Sequence, residues 1–321
     1  MTILITGSAG HLGEALMRTL RAAGQPAVGV DILPSPFTTH VGSIADAEFV
    51  RGAMAGASTV IHSATLHKPH VATHTRQAFV DVNVTGTLTL LEAALAADVR
   101  AFVYTSTTSA LGSALSPAPG EPAAWITEDV APVPRNIYGV TKVAAESLCE
   151  LFQRDRRLPV IVLRTARFFP EADDNAEVAE AYPLANVQAN ELLYRRVDIE
   201  DVVSAHLLAA ERAPDLGFGR YIVSATTPFG RDELAELRVN APTVVRRVHP
   251  EVDQLYAANS WRLFPSLDRV YVNDRARSAL GWTPKYDFRR VLDCLANGED
   301  FRSELAKAVG IKGYHRNAPP P

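Results

Sequence analysis

Between a first apolar run, TILIT, and a first amphipathic stretch, LGEALMRTLRAAG, the chain reads ITGSAGHLGEAL. Glycines fall at 7, 10 and 13, a G-x-x-G-x-x-G spacing directly after a strand and at the opening of a helix. Glycine lets the backbone turn tightly there and come close to a pyrophosphate at the helix N-terminus, where unpaired N–H groups favour an anion. The following segments keep the same rhythm. PAVGVD, TVIHSA, AFVYTS and PVIVLR read as strands; DAEFVRGAMAG, NVTGTLTLLEAALAAD and a run starting near Tyr138 read as helices. This alternation predicts an α/β fold, a Rossmann-type doubly wound parallel sheet buried on both faces.

After Arg164 the alternation breaks. Residues 166–196 show no clean period, and 226–286 are rich in Pro, Arg and Asn with only short patterns. Between them DIEDVVSAHLLAAER is an amphipathic helix and GRYIVSA a strand. We therefore expect a dinucleotide-binding domain over 1–165, with 197–225 returning to it. A smaller, non-contiguous C-terminal substrate lobe is expected from 166–196 and 226–321. The length, 321 residues, suffices for both. The closing NAPPP reads as a loose tail, since proline neither continues a helix nor donates to a sheet.

Composition removes several function classes. The formal net charge is -4 and basic residues are scattered, so neither nucleic acid nor an anionic membrane surface is an expected partner. The two cysteines, Cys149 and Cys294, lack metal or C-x-x-C spacing, which suits a reducing cytoplasm. The N-terminus enters a strand without the features of a signal peptide. No segment holds the ~18 uninterrupted apolar residues of a membrane span. His62, His67, His70 and His74 fall close together in HSATLHKPHVATH. No Cys or carboxylate completes a metal set and His62 sits in a strand, so no metal is expected. His67 and His70 are placed on the substrate-side loop after the third strand.

Asp31 ends the second strand, 18 residues beyond Gly13. A carboxylate there accepts bonds from adenosine ribose hydroxyls and repels a 2′-phosphate, and no basic residue follows to offset it; the cofactor should be NAD and not NADP. In PRNIYGVTKVAAESLCELF, Tyr138 and Lys142 share one helix face, one turn apart. A free phenol, with a pKa of about 10, is a poor base near neutrality. A neighbouring ammonium and the positive nicotinamide would favour the phenolate, letting Tyr138 exchange a proton with a substrate alcohol as hydride moves. The strand end YTSTTSALG places hydroxyls at Ser106, Thr107 and Thr108 where sites in open α/β sheets are found.

Taken in order, these stretches resemble the extended short-chain dehydrogenase/reductase family, its NAD-dependent epimerase/dehydratase group, over nearly the whole chain. VGSIAD looks like the family's adenine contact, with Ser43 replacing an Asp and Ile44 packing on the base. VIHSAT, NVTGTLTLLEAA, ITEDVAPVPRNIYGVTK, RVDIEDVVSAHLLA and ALGWTPKYDF match further family signatures. The resemblance implies Thr107, Tyr138 and Lys142 as catalytic residues, with Lys142 also on the nicotinamide ribose. It implies a cofactor site of Gly7, Gly10, His11, Leu12, Gly13, Asp31, Ile32, Ser43, Ile44, Ser63, Ala64, Thr65, Asn83 and Thr105 beside Tyr138 and Lys142. A homodimer through the helix after Asn83 and the Tyr138 helix is implied as well.

The departures are equally informative. Thr108 and Ser109 occupy the places where sugar 4,6-dehydratases of the family carry an acidic pair, which argues against that reaction. Arg167 stands where epimerase-like members have a diphosphate-binding Asn, followed by Phe168, Phe169 and Pro170. Arg167 either binds a phosphate or carboxylate or pairs with Glu171 or Asp173. Arg195 and Arg196 lie near the family's diphosphate-binding Arg, outside its clear register. Substrate contacts are thus expected at His67, Thr108, Arg167, Phe168 and Arg195, for a small molecule such as a sugar nucleotide, a sugar acid or a hydroxy or keto compound. Two function classes follow: an NAD-dependent oxidoreductase or isomerase, either epimerase or dehydrogenase, and a non-catalytic NAD-binding regulator on the same fold.

Overall fold

The computed structural model describes residues 1–172 and 176–313; the NAPPP tail and Asp173 lie outside them. The strands are β1 (Thr2–Thr6), β2 (Ala27–Asp31), β3 (His40–Val41), β4 (Ala57–His62), β5 (Ala101–Thr107), β6 (Ala124–Ile126), β7 (Val160–Thr165), β8 (Phe218–Val223) and β9 (Arg269–Tyr271). Seven form one sheet in the order β3-β2-β1-β4-β5-β7-β8, with every neighbouring pair parallel. The chain winds outward from β1 in one direction and from β4 in the other. The loops leaving β1 and β4 therefore diverge, and a crevice opens beyond their C-terminal ends.

Period-two alternation sorts each strand's residues between two cores. Ile5, Ile61, Val103 and Ile161 face one side, against α1 (His11–Ala22) and, later in the chain, the helix Ile199–Leu216. Leu4, Val60, Phe102 and Val160 face the other side, against α2 (Ala47–Ala53), a long helix, and α5 (Ile137–Arg156). The long helix starts as α3 (Arg76–Phe79), passes through a π turn (Val80–Thr85) and continues as α4 (Gly86–Ala96). By length and composition Arg76–Ala96 would suit a membrane span. Here Leu90, Leu91, Ala93 and Ala94 pack against the sheet.

A third core, that of the smaller lobe, is built from α6 (Ala176–Ala181), α7 (Leu184–Leu192), α9 (Leu234–Val248), α10 (Val252–Ala258) and α12 (Phe288–Asn297), where Val187, Leu237, Val244 and Val291 meet. The segment 199–216 is α8. A short parallel pair, β6 with β9, adds to this lobe. The irregular pattern at 226–286 has a local cause: α9 is interrupted at Asn240 (φ -154°, ψ 68°), just before Pro242, so no single helical period spans it. Segment 226–321 serves this core and one of the sheet's two. Residues of α11 (Asp274–Leu280) and α13 (Glu304–Val309), with Trp282, join the core formed by α1 and α8.

One contact ties the two late sequence signatures together. Asp201 of α8 accepts from the backbone N–H of Lys285 (2.8 Å) and Tyr286 (2.9 Å), and Trp282 Nε1 donates to Ser204 Oγ (3.0 Å). DIEDVV and GWTPKYDF are thus two halves of one clasp between sheet and lobe.

Candidate functional site

A cavity of about 680 Å³ runs from the glycine turn across the ends of β4 and β5 to the wall formed by Arg195, Arg269 and Tyr271. At its first end Gly7 adopts φ +77°, a conformation open to glycine, and an added Cβ would lie 2.8 Å from Ala64 N. A Cβ on Gly13 would stand 1.9 Å from Gly7 O, so helix and turn touch only because no side chain intervenes. Gly10 precedes α1 without any side-chain cap, leaving the first N–H groups of the helix for a ligand. Asp31 receives Ala9 N (3.0 Å) and Leu33 N (2.9 Å), which aims its carboxylate at the cavity. This cradle, which any Cβ would fill, and the carboxylate beside it fit a dinucleotide.

Ile32 is exposed at the rim. Ser43 Oγ accepts from Ala45 N (3.1 Å), and Ile44 is buried against Gly86, where a Cβ would approach within 2.7 Å. Ser63 Oγ donates to Thr6 O (2.7 Å) and Ala64 N to Thr6 Oγ1 (3.2 Å), binding β4's end to β1's. Leu12 is buried at the start of α1. Its neighbour His11 places Nε2 3.0 Å from Glu171 Oε1. Burial alone would raise the Glu171 carboxyl, but the bond and charge of His11 hold it at about 2.

Asn83 stands apart from the other anticipated residues. It is the one residue of the anticipated cofactor and substrate set that does not line the cavity. Its Oδ1 accepts from Thr65 Oγ1 (2.9 Å) and Leu66 N (2.8 Å); its Nδ2 donates to Leu66 O (2.9 Å) and Thr141 Oγ1 (3.0 Å). Every strong donor and acceptor of the amide is engaged, so Asn83 braces the Thr65–Leu66 loop against α5.

The reacting end is set by α5. Asn136 caps the helix by accepting from Gly139 N (3.0 Å), so the helix starts at Ile137 and Tyr138 falls in its first turn, facing the cavity. Lys142 is 2% exposed; its Nζ donates to Thr105 O (2.7 Å) and stands 4.2 Å from the Tyr104 ring centre. The three hydroxyls of β5 separate by their partners. Ser106 Oγ donates to Glu146 (2.6 Å), and Thr108 Oγ1 makes a long bond to Thr165 O (3.4 Å). Thr107 accepts from Ser109 N (3.1 Å) and faces Tyr138.

The electrostatics differ from the expectation of a phenol acidified by Lys142. Burial pushes Tyr138 up to about 12, and the opposing pull comes from a hydrogen bond to Thr107. Burial likewise draws Lys142 down to about 7, against the pull of Glu146. Desolvation outweighs the ammonium because Lys142 is itself buried and directed at a carbonyl.

At the far end Arg167 Nη2 donates to the carbonyls of Glu171 (3.0 Å) and Ala172 (2.6 Å), and its Nε lies 3.8 Å from the carboxylate of Glu191. Of the two acidic partners anticipated, Glu171 contributes its backbone and Asp173 lies outside the described residues. Glu191, fully buried, also receives Arg195 Nη2 and Arg196 Nη1, each at 2.6 Å. Sequence reading missed Glu191, although its i,i+4 spacing to Arg195 was a visible signal. Arg269 and Tyr271, also missed, reach the cavity from β9 with no motif to mark them. Phe169 stacks on His67 (ring centres 5.7 Å, 15° apart) and leans on Phe168 (4.3 Å). His62 is buried between Thr6 (2.8 Å) and Thr87 (3.0 Å). Among the described residues no group of three or more His, Cys, Asp or Glu side chains has metal-binding geometry.

Comparison with known proteins agrees with this architecture. The low-salt glycan biosynthesis protein Agl12 of Haloferax volcanii is 27% identical, over 91% of this chain and 96% of its own. The UDP-glucose 4-epimerase of Rhizobium meliloti is 25% identical, over 94% and 98%. A solved short-chain dehydrogenase/reductase superfamily protein from Agrobacterium tumefaciens, with bound NAD, superposes with a TM-score of 0.65 at 24% identity, covering 92% of this chain and 96% of that one. That likeness shows the fold. The sequence model of the NAD dependent epimerase/dehydratase family matches residues 3–223. On the doubly wound sheet, the glycine cradle and this match, the chain belongs to the NAD-dependent epimerase/dehydratase family.

Proposed function

We propose that this protein catalyses NAD-dependent hydride transfer at a secondary alcohol or ketone of a sugar-like substrate, as an epimerase or a dehydrogenase. The observation that carries the reading is the meeting of Tyr138, Thr107 and Lys142 in the same cavity as the glycine cradle and Asp31. Gly7, Gly10 to Gly13 and Asp31 would hold the pyrophosphate and adenosine ribose, with Ile44 at the adenine. When bound, NAD supplies the hydride acceptor and a positive charge. With that charge in place Tyr138 Oη, as the phenolate it favours, would take the proton from the substrate hydroxyl, and the Thr107 hydroxyl would orient that oxygen by hydrogen bonding. Lys142 is anchored beneath the site by donating to Thr105 O. Because burial raises the phenol, Tyr138 becomes a usable base only when further positive charge enters the cavity. Arg195 and Arg269 on the far wall suit an anionic substrate group.

Tyr138→Phe tests this reading. It should lower kcat by about 10²–10⁴-fold while NAD affinity holds; unchanged turnover, or an NAD-dependent output indifferent to the change, would instead favour the non-catalytic regulator. Retention of NAD through a desalting column would separate the two chemistries, since an epimerase returns hydride to its own product and a dehydrogenase must exchange cofactor. A homodimer through α4 and α5 belongs to the same proposal: Leu88, Val140 and Leu151 are 37%, 50% and 36% exposed on these packed helices.

A further inference from the structure

Directly behind the reacting end lies a buried charge cluster that the proposed chemistry does not touch. Glu146, one turn beyond Lys142 on α5, is 2% exposed. Its Oε1 accepts from Ser106 Oγ (2.6 Å) and Arg164 Nε (3.0 Å), and its Oε2 from Arg164 Nη2 (2.8 Å). Arg220 Nε lies 3.0 Å from the same Oε2. The two guanidiniums, from β7 and β8, satisfy the need to pair a buried charge. They do not account for the bond to Ser106.

The position of Ser106 in β5 does. The residue before it, Thr105, presents the carbonyl that receives Lys142, and the residue after it, Thr107, carries the hydroxyl that faces Tyr138. Whatever holds Ser106 therefore holds both. We propose that Glu146 is a positioning residue for hydride transfer: through Ser106 it fixes the end of β5 against α5, and from one turn away it sets the charge around Lys142. This inference rests on the reading of Tyr138, Thr107 and Lys142 given above.

The other groups around Lys142 leave that second task to Glu146. His62, on β4, is driven well below its ordinary pKa by burial and then by Lys142, so it is neutral. Tyr104, on β5, and Cys149, on α5, are pushed up by burial and stay protonated. Tyr138 is likewise a neutral phenol. Arg164 and Arg220 are positive, and reach this neighbourhood through Glu146 itself. Among the charges acting on Lys142, Glu146 is the largest that raises it.

The test reads Lys142 directly. The chain has five lysines, so ¹⁵N-lysine labelling of the full protein yields a countable set of side-chain signals, with Lys142 assigned by Lys142→Arg. In Glu146→Gln the Lys142 midpoint should fall by about one pH unit or more, and the alkaline limb of kcat against pH should move down with it. Ser106→Ala leaves the ion pairs in place; it should keep the Lys142 midpoint and NAD affinity but lower kcat by about 10-fold or more, through misplacement of Thr107. An unmoved midpoint in folded Glu146→Gln, or wild-type kcat in Ser106→Ala, overturns the proposal. Where Glu146→Gln fails to fold, Ser106→Ala decides it. A shifted midpoint in a protein without hydride transfer would sink the proposed function and leave the Glu146–Lys142 coupling standing.

Discussion

At the glycine turn most of the cavity wall comes from one stretch of chain, Gly7 to Asp31, closed by the ends of neighbouring strands at Ser43 and Ser63. At the opposite wall Arg167, Arg195 and Arg269 are delivered by a loop, the exit of a helix and a strand of the second lobe. The first end tolerates few residues because a Cβ cannot be accommodated. The second end is specified by partner choice: a single buried carboxylate, Glu191, gathers three guanidiniums. A close backbone approach is visible in a string of residues, whereas a shared counter-ion is visible only once the chain is folded.

Three perturbations sharpen this contrast. Glu191→Gln should have the largest effect, about 3–5 kcal/mol of lost stability in chemical denaturation, because it strands buried charge. NAD affinity, set at the glycine end of the cavity, should stay within about twofold; a comparable loss of NAD binding would show that the two ends are one unit. Next comes acid. His206 lies fully buried beneath β5, its Nε2 2.9 Å from Thr105 Oγ1, and burial lowers it to about 4. A histidine depressed in the folded state contributes stability above its unfolded pKa of about 6.5, lost as pH falls through about 4. The denaturation midpoint should therefore decline between pH 7 and 4, by the equivalent of about 3 kcal/mol from this group. His206→Gln should flatten that decline, and an unchanged slope would refute the assignment. The smallest effect is expected at the glycine end: Asp31→Asn should weaken NAD about 10-fold and erode its preference over NADP, with little change in stability. If it instead destabilises the fold as much as Glu191→Gln, the distinction between local and assembled walls fails.

The same distinction explains which features could be read in advance. The glycine spacing, Asp31 and the Tyr138–Lys142 interval are short-range and chemically restrictive, and the cavity contains all of them. The bracing bonds of Asn83 stayed hidden because residue type does not reveal which way an amide points; they run to the Thr65–Leu66 loop and Thr141. The second half of α9 stayed hidden because Asn240 and Pro242 break the period on which helix reading depends. The choice among Ser106, Thr107 and Thr108 was open in one dimension, since three adjacent hydroxyls differ only in what lies opposite each.

Residue order alone established a doubly wound sheet, a dinucleotide cradle at its first turn and a tyrosine–lysine pair one helical turn apart, because these depend on backbone sterics and on repeats of two and 3.6 residues. Packing alone decided which hydroxyl meets the phenol, how far burial moves Tyr138 and Lys142, and which carboxylates hold the buried arginines. Those outcomes depend on desolvation and on distances between segments remote in the chain, and neither quantity exists until the chain has folded.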